Sequence, residues 1–93
     1  MPVQERVALL NAVEKLRAAG VRLPFPHTSA VQGRRVRELR PRAGRSPWRG
    51  FYGRVGDRLW ILAIGPEAEQ DRRGFARVVG LAERRLEEVP DQA

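Results

Sequence analysis

The chain has no cysteine. That excludes a disulfide framework and a cysteine-ligated zinc site. It has one histidine, His27, which argues against a His-based metal centre or a Ser-His-Asp triad. Lys15 is the only lysine, so almost all of the basic charge is arginine. No apolar run approaches the roughly 20 residues needed to span a bilayer. The N-terminus lacks the charged segment, apolar stretch and cleavage site of a signal peptide. The expectation from these absences is a cytoplasmic protein that binds neither a membrane nor a metal.

What the chain does have is positive charge. Its formal net charge is +7 over 93 residues, and its pI is about 11.5. Such a balance favours a polyanionic partner, either nucleic acid or an acidic protein. The length corresponds to one domain, read here as 1–93. With 42% hydrophobic residues the chain supports a single modest core.

The stretch from Arg34 to Gly65 organises the rest. It reads as three strands, Arg35 to Arg40, Trp48 to Val55 and Arg58 to Ile64. Val55-Gly56-Asp57-Arg58 is short enough for a hairpin, with Gly56 free to take positive φ. The Pro41 to Pro47 connection is irregular and includes Arg42 and Arg45. The strands carry Arg37, Arg40, Arg49 and Arg54. The third strand is apolar throughout, a pattern expected of a strand covered on both faces.

Helices flank this stretch. Met1 to Ala19 places Val3, Val7, Leu10, Val13 and Leu16 at helical spacing, and Gly20 ends it. Val21 to Gly33 is a connector in which Leu23 and Phe25 are expected under the sheet edge, with a short helical turn over Ser29 to Gln32. His27 follows the prolines, either as an exposed loop imidazole or as a proton donor or acceptor for bound RNA. A second helix runs from about Gln70 to Val89. Its apolar stripe is Phe75, Val78, Val79, Ala82, Leu86 and Val89. Phe75, Val79, Ala82 and Leu86 are expected to pack on Trp60, Ile61, Leu62 and Ile64. Arg73, Arg77 and Arg84 make a second stripe. Pro90 stops the helix, and Asp91 to Ala93 are expected to fray.

The order of elements, with Glu38-Leu39-Arg40 in one strand and Trp48-Arg49 through Tyr52 in the next, resembles the RelE/HigB family of type II toxin–antitoxin toxins, including its phage-derived branch. The resemblance runs from about Val7 to Val89. It implies an α+β fold: a small curved antiparallel sheet of three or four strands, an N-terminal and a C-terminal helix, and helices on one side of the sheet. It implies cleavage of mRNA on the ribosome, without metal or cofactor, by attack of the RNA's own 2′-hydroxyl, and restraint by a cognate antitoxin. The residues matching the family's catalytic positions are Arg49 and Arg40. Those expected to contact nucleic acid are Arg37, Arg45, Tyr52, Arg54, Arg73 and Arg77. Fixed guanidiniums suit a phosphorane because they stay protonated and bind phosphate bidentately.

Two features depart from the family pattern. Where many relatives carry a basic segment after the last strand, this chain has Gly65-Pro66-Glu67-Ala68-Glu69. Many relatives also begin with a strand, whereas Met1 leads into helix here. Either the sheet is shorter, with an edge for a partner to cover, or the start was chosen late. Two other functions fit the same residues, a non-catalytic basic nucleic-acid-binding module and a ParE-like inhibitor of DNA gyrase.

Overall fold

The computed structural model describes residues 1–90. The expectation of fraying at 91–93 lies outside the described residues. Helix α1 spans Val3–Ala19, and a short 3₁₀ turn, Gly20–Arg22, follows it. Four strands come next: β1 (Thr28–Ala30), β2 (Arg37–Leu39), β3 (Trp48–Val55) and β4 (Arg58–Pro66). A left-handed turn, Pro41–Gly44, joins β2 to β3, and helix α2 spans Arg72–Glu88. The strands form one antiparallel sheet in the order β1-β2-β3-β4. The expected α+β architecture is therefore present.

The two helices lie on opposite faces of this sheet, not on one side as the family resemblance implied. Successive side chains on a strand point to opposite faces. On β3, Phe51 packs with Leu62, Ala63, Val79, Ala82 and Leu86, the α2 side. The next residue, Tyr52, packs with Ala12, Leu16 and Leu39, the α1 side. A bulge between Phe51 and Tyr52 shifts the β3–β4 register there. It lets the adjacent Leu62 and Ala63 both join the α2-side core.

Helix α2 begins where Asp71 caps it by accepting a hydrogen bond from the Gly74 N–H at 2.9 Å. It ends at Val89, whose backbone is extended ahead of Pro90. Gly53 sits beneath it: a Cβ there would come within 2.8 Å of Leu86. The absence of a side chain at Gly53 thus lets the helix settle close to β3. Leu86 is 3% exposed. Leu86→Ala should cost about 2–5 kcal/mol, read as a lowered urea midpoint.

Four sequence expectations are corrected. The helical turn expected over Ser29 to Gln32 is absent: Ser29 and Ala30 belong to strand β1, paired with β2 through Thr28–Leu39, Ser29–Glu38 and Ala30–Arg37, and the turn falls at 32–33. The first expected strand is shorter at its start, because the Arg35 and Val36 N–H groups donate to the Glu83 carboxylate of α2 at 2.7 and 3.2 Å. On α1 the buried residues are Ala8, Leu9, Ala12 and Leu16, so Val3, Val7 and Leu10 face solvent. Strand β4 is covered along one face, while on the other Leu59 packs on the α1-side core and the strand beyond it is open. Leu62 and Trp60 pack under α2 as expected, but Ile61 is 40% and Ile64 47% exposed. The cause is placement: α1 lies over β2 and β3 and leaves the same face of β4 bare at Ile61 and Ile64.

Candidate functional site

The arginine expected at the centre of catalysis is a structural tie. Arg49 opens β3 on the α2 side and is 3% exposed. Its Nη2 donates to Glu67 Oε2 at 2.8 Å and to the Gly44 carbonyl at 3.3 Å. Its Nη1 donates to the Ser46 carbonyl at 2.6 Å and the Trp48 carbonyl at 3.0 Å. Its Nε stands 3.2 Å from Glu38 Oε1, an ion pair whose angle falls short of a hydrogen bond. Where the sequence expectation had this guanidinium free beside the loop, its donors are engaged by Glu67 and three carbonyls within the fold. It holds the 41–47 loop against the sheet. The acidic Glu67, a departure from the family pattern, is one of the two carboxylates that neutralise it.

The loop so held is bent sharply. Arg42 and Ala43 both have φ of 56°, and Gly44 has φ of 93°. Two consecutive non-glycine residues in the left-handed region cost about 1–3 kcal/mol each, and such strain gathers at functional sites. Gly44 is doubly constrained, since a Cβ there would collide with the Arg40 guanidinium. Ser46 is buried, donates to Glu5 of α1, and accepts from the Trp48 N–H at 3.1 Å. Glu5 also pairs with Arg42 at 3.4 Å. The loop is thus tied to α1 on one side and to Arg49 on the other.

Between that loop and α1 lies a cavity of about 200 Å³. Four basic side chains line it: Lys15 from α1, His27 from the turn before β1, Arg40 from the end of β2, and Arg42. Gln4 and Asn11 complete its polar lining, with Ala12, Leu23 and Leu39 beneath. Among the described residues no carboxylate lines it. The backbone fixes two of the four together, since the Arg40 N–H donates to the His27 carbonyl at 2.8 Å. Arg40 is half-buried, and its Nε is buried without a hydrogen-bond partner. Its guanidinium is packed between Gly44 and the Phe25 ring, and among the described residues no carboxylate pairs with it.

The other expected site residues do not join this cavity. Tyr52, expected to contact nucleic acid, is instead buried in the α1-side core, its hydroxyl accepting a long 3.4 Å bond from Arg37 Nε. Arg37 is exposed at the far end of β2 and also donates to Thr28 Oγ1 at 3.4 Å. Arg54 lies by the β3–β4 hairpin and donates to the Gly56 carbonyl at 2.7 Å. Arg45 is exposed and donates to the Arg42 carbonyl at 3.1 Å. Arg73 and Arg77 are exposed on the side of α2 turned away from the sheet, across the molecule from the cavity. Phe25, expected under the sheet edge, is 69% exposed and carries Arg40 over its ring at 5.0 Å.

Sequence reasoning thus named Arg40, weighed His27, and missed Lys15 and Arg42 as partners. Lys15 stands 25 positions before Arg40 in the chain. Only the packing of α1 on β2 brings them together, and spacing along the chain carries no sign of that.

Neither the comparison with curated proteins nor that with solved structures gave a match. The family comparison did: residues 1–67 match the family described as "Phage derived protein Gp49-like (DUF891)". The matched segment holds α1, all four strands and every residue lining the cavity. By this match over most of its length, the chain belongs to the phage-derived Gp49-like family.

Proposed function

We propose that this chain is a RelE/HigB-like toxin that cuts messenger RNA on the ribosome and is restrained by an antitoxin. The observation that carries the reading is the cavity of Lys15, His27, Arg40 and Arg42. It supplies side chains for each task in metal-free RNA cleavage. His27 takes the proton of the 2′-hydroxyl as its oxygen attacks the adjacent phosphorus. Arg40 and Arg42 stabilise the extra charge on the phosphorane oxygens. The bond from phosphorus to the 5′-oxygen then breaks, and the Lys15 ammonium gives that oxygen a proton. The products are a 2′,3′-cyclic phosphate and a 5′-hydroxyl.

The antitoxin reading has its own support. Strand β4 is an edge of the sheet, with Ile61 and Ile64 exposed. Beside it runs an open groove of about 490 Å³ between β4 and the end of α1, lined by Val13, Leu16, Leu59 and Ile61 together with the charged Arg17, Arg54 and Asp57. An extended segment with alternating apolar and acidic residues suits such an edge. Induced expression followed by primer extension on cellular mRNA tests the proposal. The expected result is arrest of growth with cuts at codon-fixed positions in translated messages. Growth arrest with intact messages and accumulated gyrase-linked DNA breaks would favour a ParE-like inhibitor. Nucleic-acid binding without toxicity would favour a non-catalytic module.

A further inference from the structure

The phosphate cavity leaves the bases unaccounted for. Its volume of about 200 Å³ falls below the roughly 300–1,000 Å³ common for small-molecule sites. A backbone phosphate with part of its ribose takes up that space and leaves no room for the base as well. The base must lie outside, next to whichever cationic group holds its phosphate.

Phe25 stands at that place. It is 69% exposed, the most exposed aromatic ring of the chain's large hydrophobic residues. It sits in a turn closed by the His27 N–H, which donates to the Pro24 carbonyl at 2.9 Å. Prolines on both sides, Pro24 and Pro26, restrict the backbone around it, so the ring is presented with little freedom to lose. Arg40 lies over the ring, 5.0 Å from its centre, and also lines the cavity. His27, two residues on, lines the cavity as well. One guanidinium therefore joins a stacking surface to a phosphate site. Nothing in the core uses this ring: the cluster beneath takes Leu23 but not Phe25.

We infer that Phe25 is a stacking platform for an unpaired nucleobase whose phosphate occupies the cavity, and that the substrate strand must be single-stranded there. This rests on the reading that RNA enters the cavity. Stacking needs a free π-face, and a base within a duplex offers none, because both of its faces are covered by neighbours. Alanine substitution of such platforms loses about 1–3 kcal/mol per base, or roughly 5- to 150-fold in affinity.

Binding of a short fluorescent single-stranded RNA, followed by anisotropy on the full chain, is the test. Phe25→Ala should weaken binding by about 5- to 150-fold, while affinity for inorganic pyrophosphate stays at the wild-type value. Phe25→Leu keeps an apolar side chain without a π-face and should resemble Phe25→Ala. Phe25→Trp should bind at least as well as wild type, with added indole fluorescence that the RNA quenches. A duplex of the same sequence should bind more weakly than the single strand. Circular dichroism checks that each variant is folded, which its exposure leads us to expect. Wild-type affinity in Phe25→Ala, equal loss of pyrophosphate binding, full rescue by Phe25→Leu, or no binding of the single strand by the wild type would each overturn the inference. Cleavage of translated mRNA by Phe25→Ala at the wild-type rate would also overturn it while leaving the nuclease reading intact. Stacking without cleavage in any assay would do the reverse.

Discussion

Arg49→Ala is expected to be the most destabilising single substitution of a charged residue in this chain, at about 3–5 kcal/mol. The guanidinium is almost wholly buried and bridges two carboxylates, Glu38 on β2 and Glu67 after β4. Without it those carboxylates face a shared hole with no counter-charge. The loop carbonyls of Gly44 and Ser46 also lose their donor. A domain of this size has only about 5–15 kcal/mol in total, so the loss is a large share. Arg49→Lys should fall between, because an ammonium has three donors and no planar fork to serve three carbonyls and two acids at once. Urea unfolding gives the measurement. If Arg49→Ala unfolds at the wild-type midpoint, the account of Arg49 as a structural tie is wrong. Loss of toxicity in that variant would then have to come from the chemistry itself.

Arg40→Ala should do the opposite, lowering activity far more than stability. Arg40 has no carboxylate partner among the described residues, and its Nε makes no hydrogen bond. Folding loses the contact with the Phe25 ring, which at an exposed site is worth about 0.5–1 kcal/mol. Under the proposed mechanism, catalysis would lose one charge-stabilising guanidinium, an effect of about 10²–10³ in rate. Arg40→Lys should recover only part of it, since a point charge does not reproduce a bidentate fork. Arg84→Ala is the control: it removes the same charge from the side of α2 turned away from the sheet. Arg85 would serve less well, because its Nη1 donates to the Leu62 carbonyl at 2.6 Å. Equal growth inhibition by Arg40→Ala and the wild type, at matched protein levels, would remove Arg40 from the mechanism.

The contrast between these two arginines marks where the sequence was legible and where it was not. Periodicity placed both long helices and the β3–β4 hairpin, because those signals are local. Strand β1 went unread, since three residues of Thr-Ser-Ala carry no alternation and owe their conformation to pairing with β2. Helix α1 was read on the wrong face. It has apolar residues around most of its circumference, and the sheet selected the side with the small Ala8 and Ala12, which permit close approach. An arginine at the start of a strand looks the same whether it points into carboxylates or into a cavity. Glu38 and Glu67 decide the matter for Arg49, and their closeness is a product of the fold. The acidic segment after β4 therefore looked like a lost binding surface in the sequence, whereas in the structure Glu67 completes a buried ion-pair network.

The most direct measurement of the central claim uses a purified ribosome complex, stalled on a defined mRNA with an open A site, and the purified chain. Ends of the RNA are mapped by primer extension, and the new 3′ end is analysed for a cyclic phosphate. The expected result is a single cut within the A-site codon, a 2′,3′-cyclic phosphate on the upstream fragment, and a rate about 10²–10³ lower for Arg40→Ala. An mRNA that stays intact with folded wild-type protein would contradict it, as would wild-type cutting by Arg40→Ala.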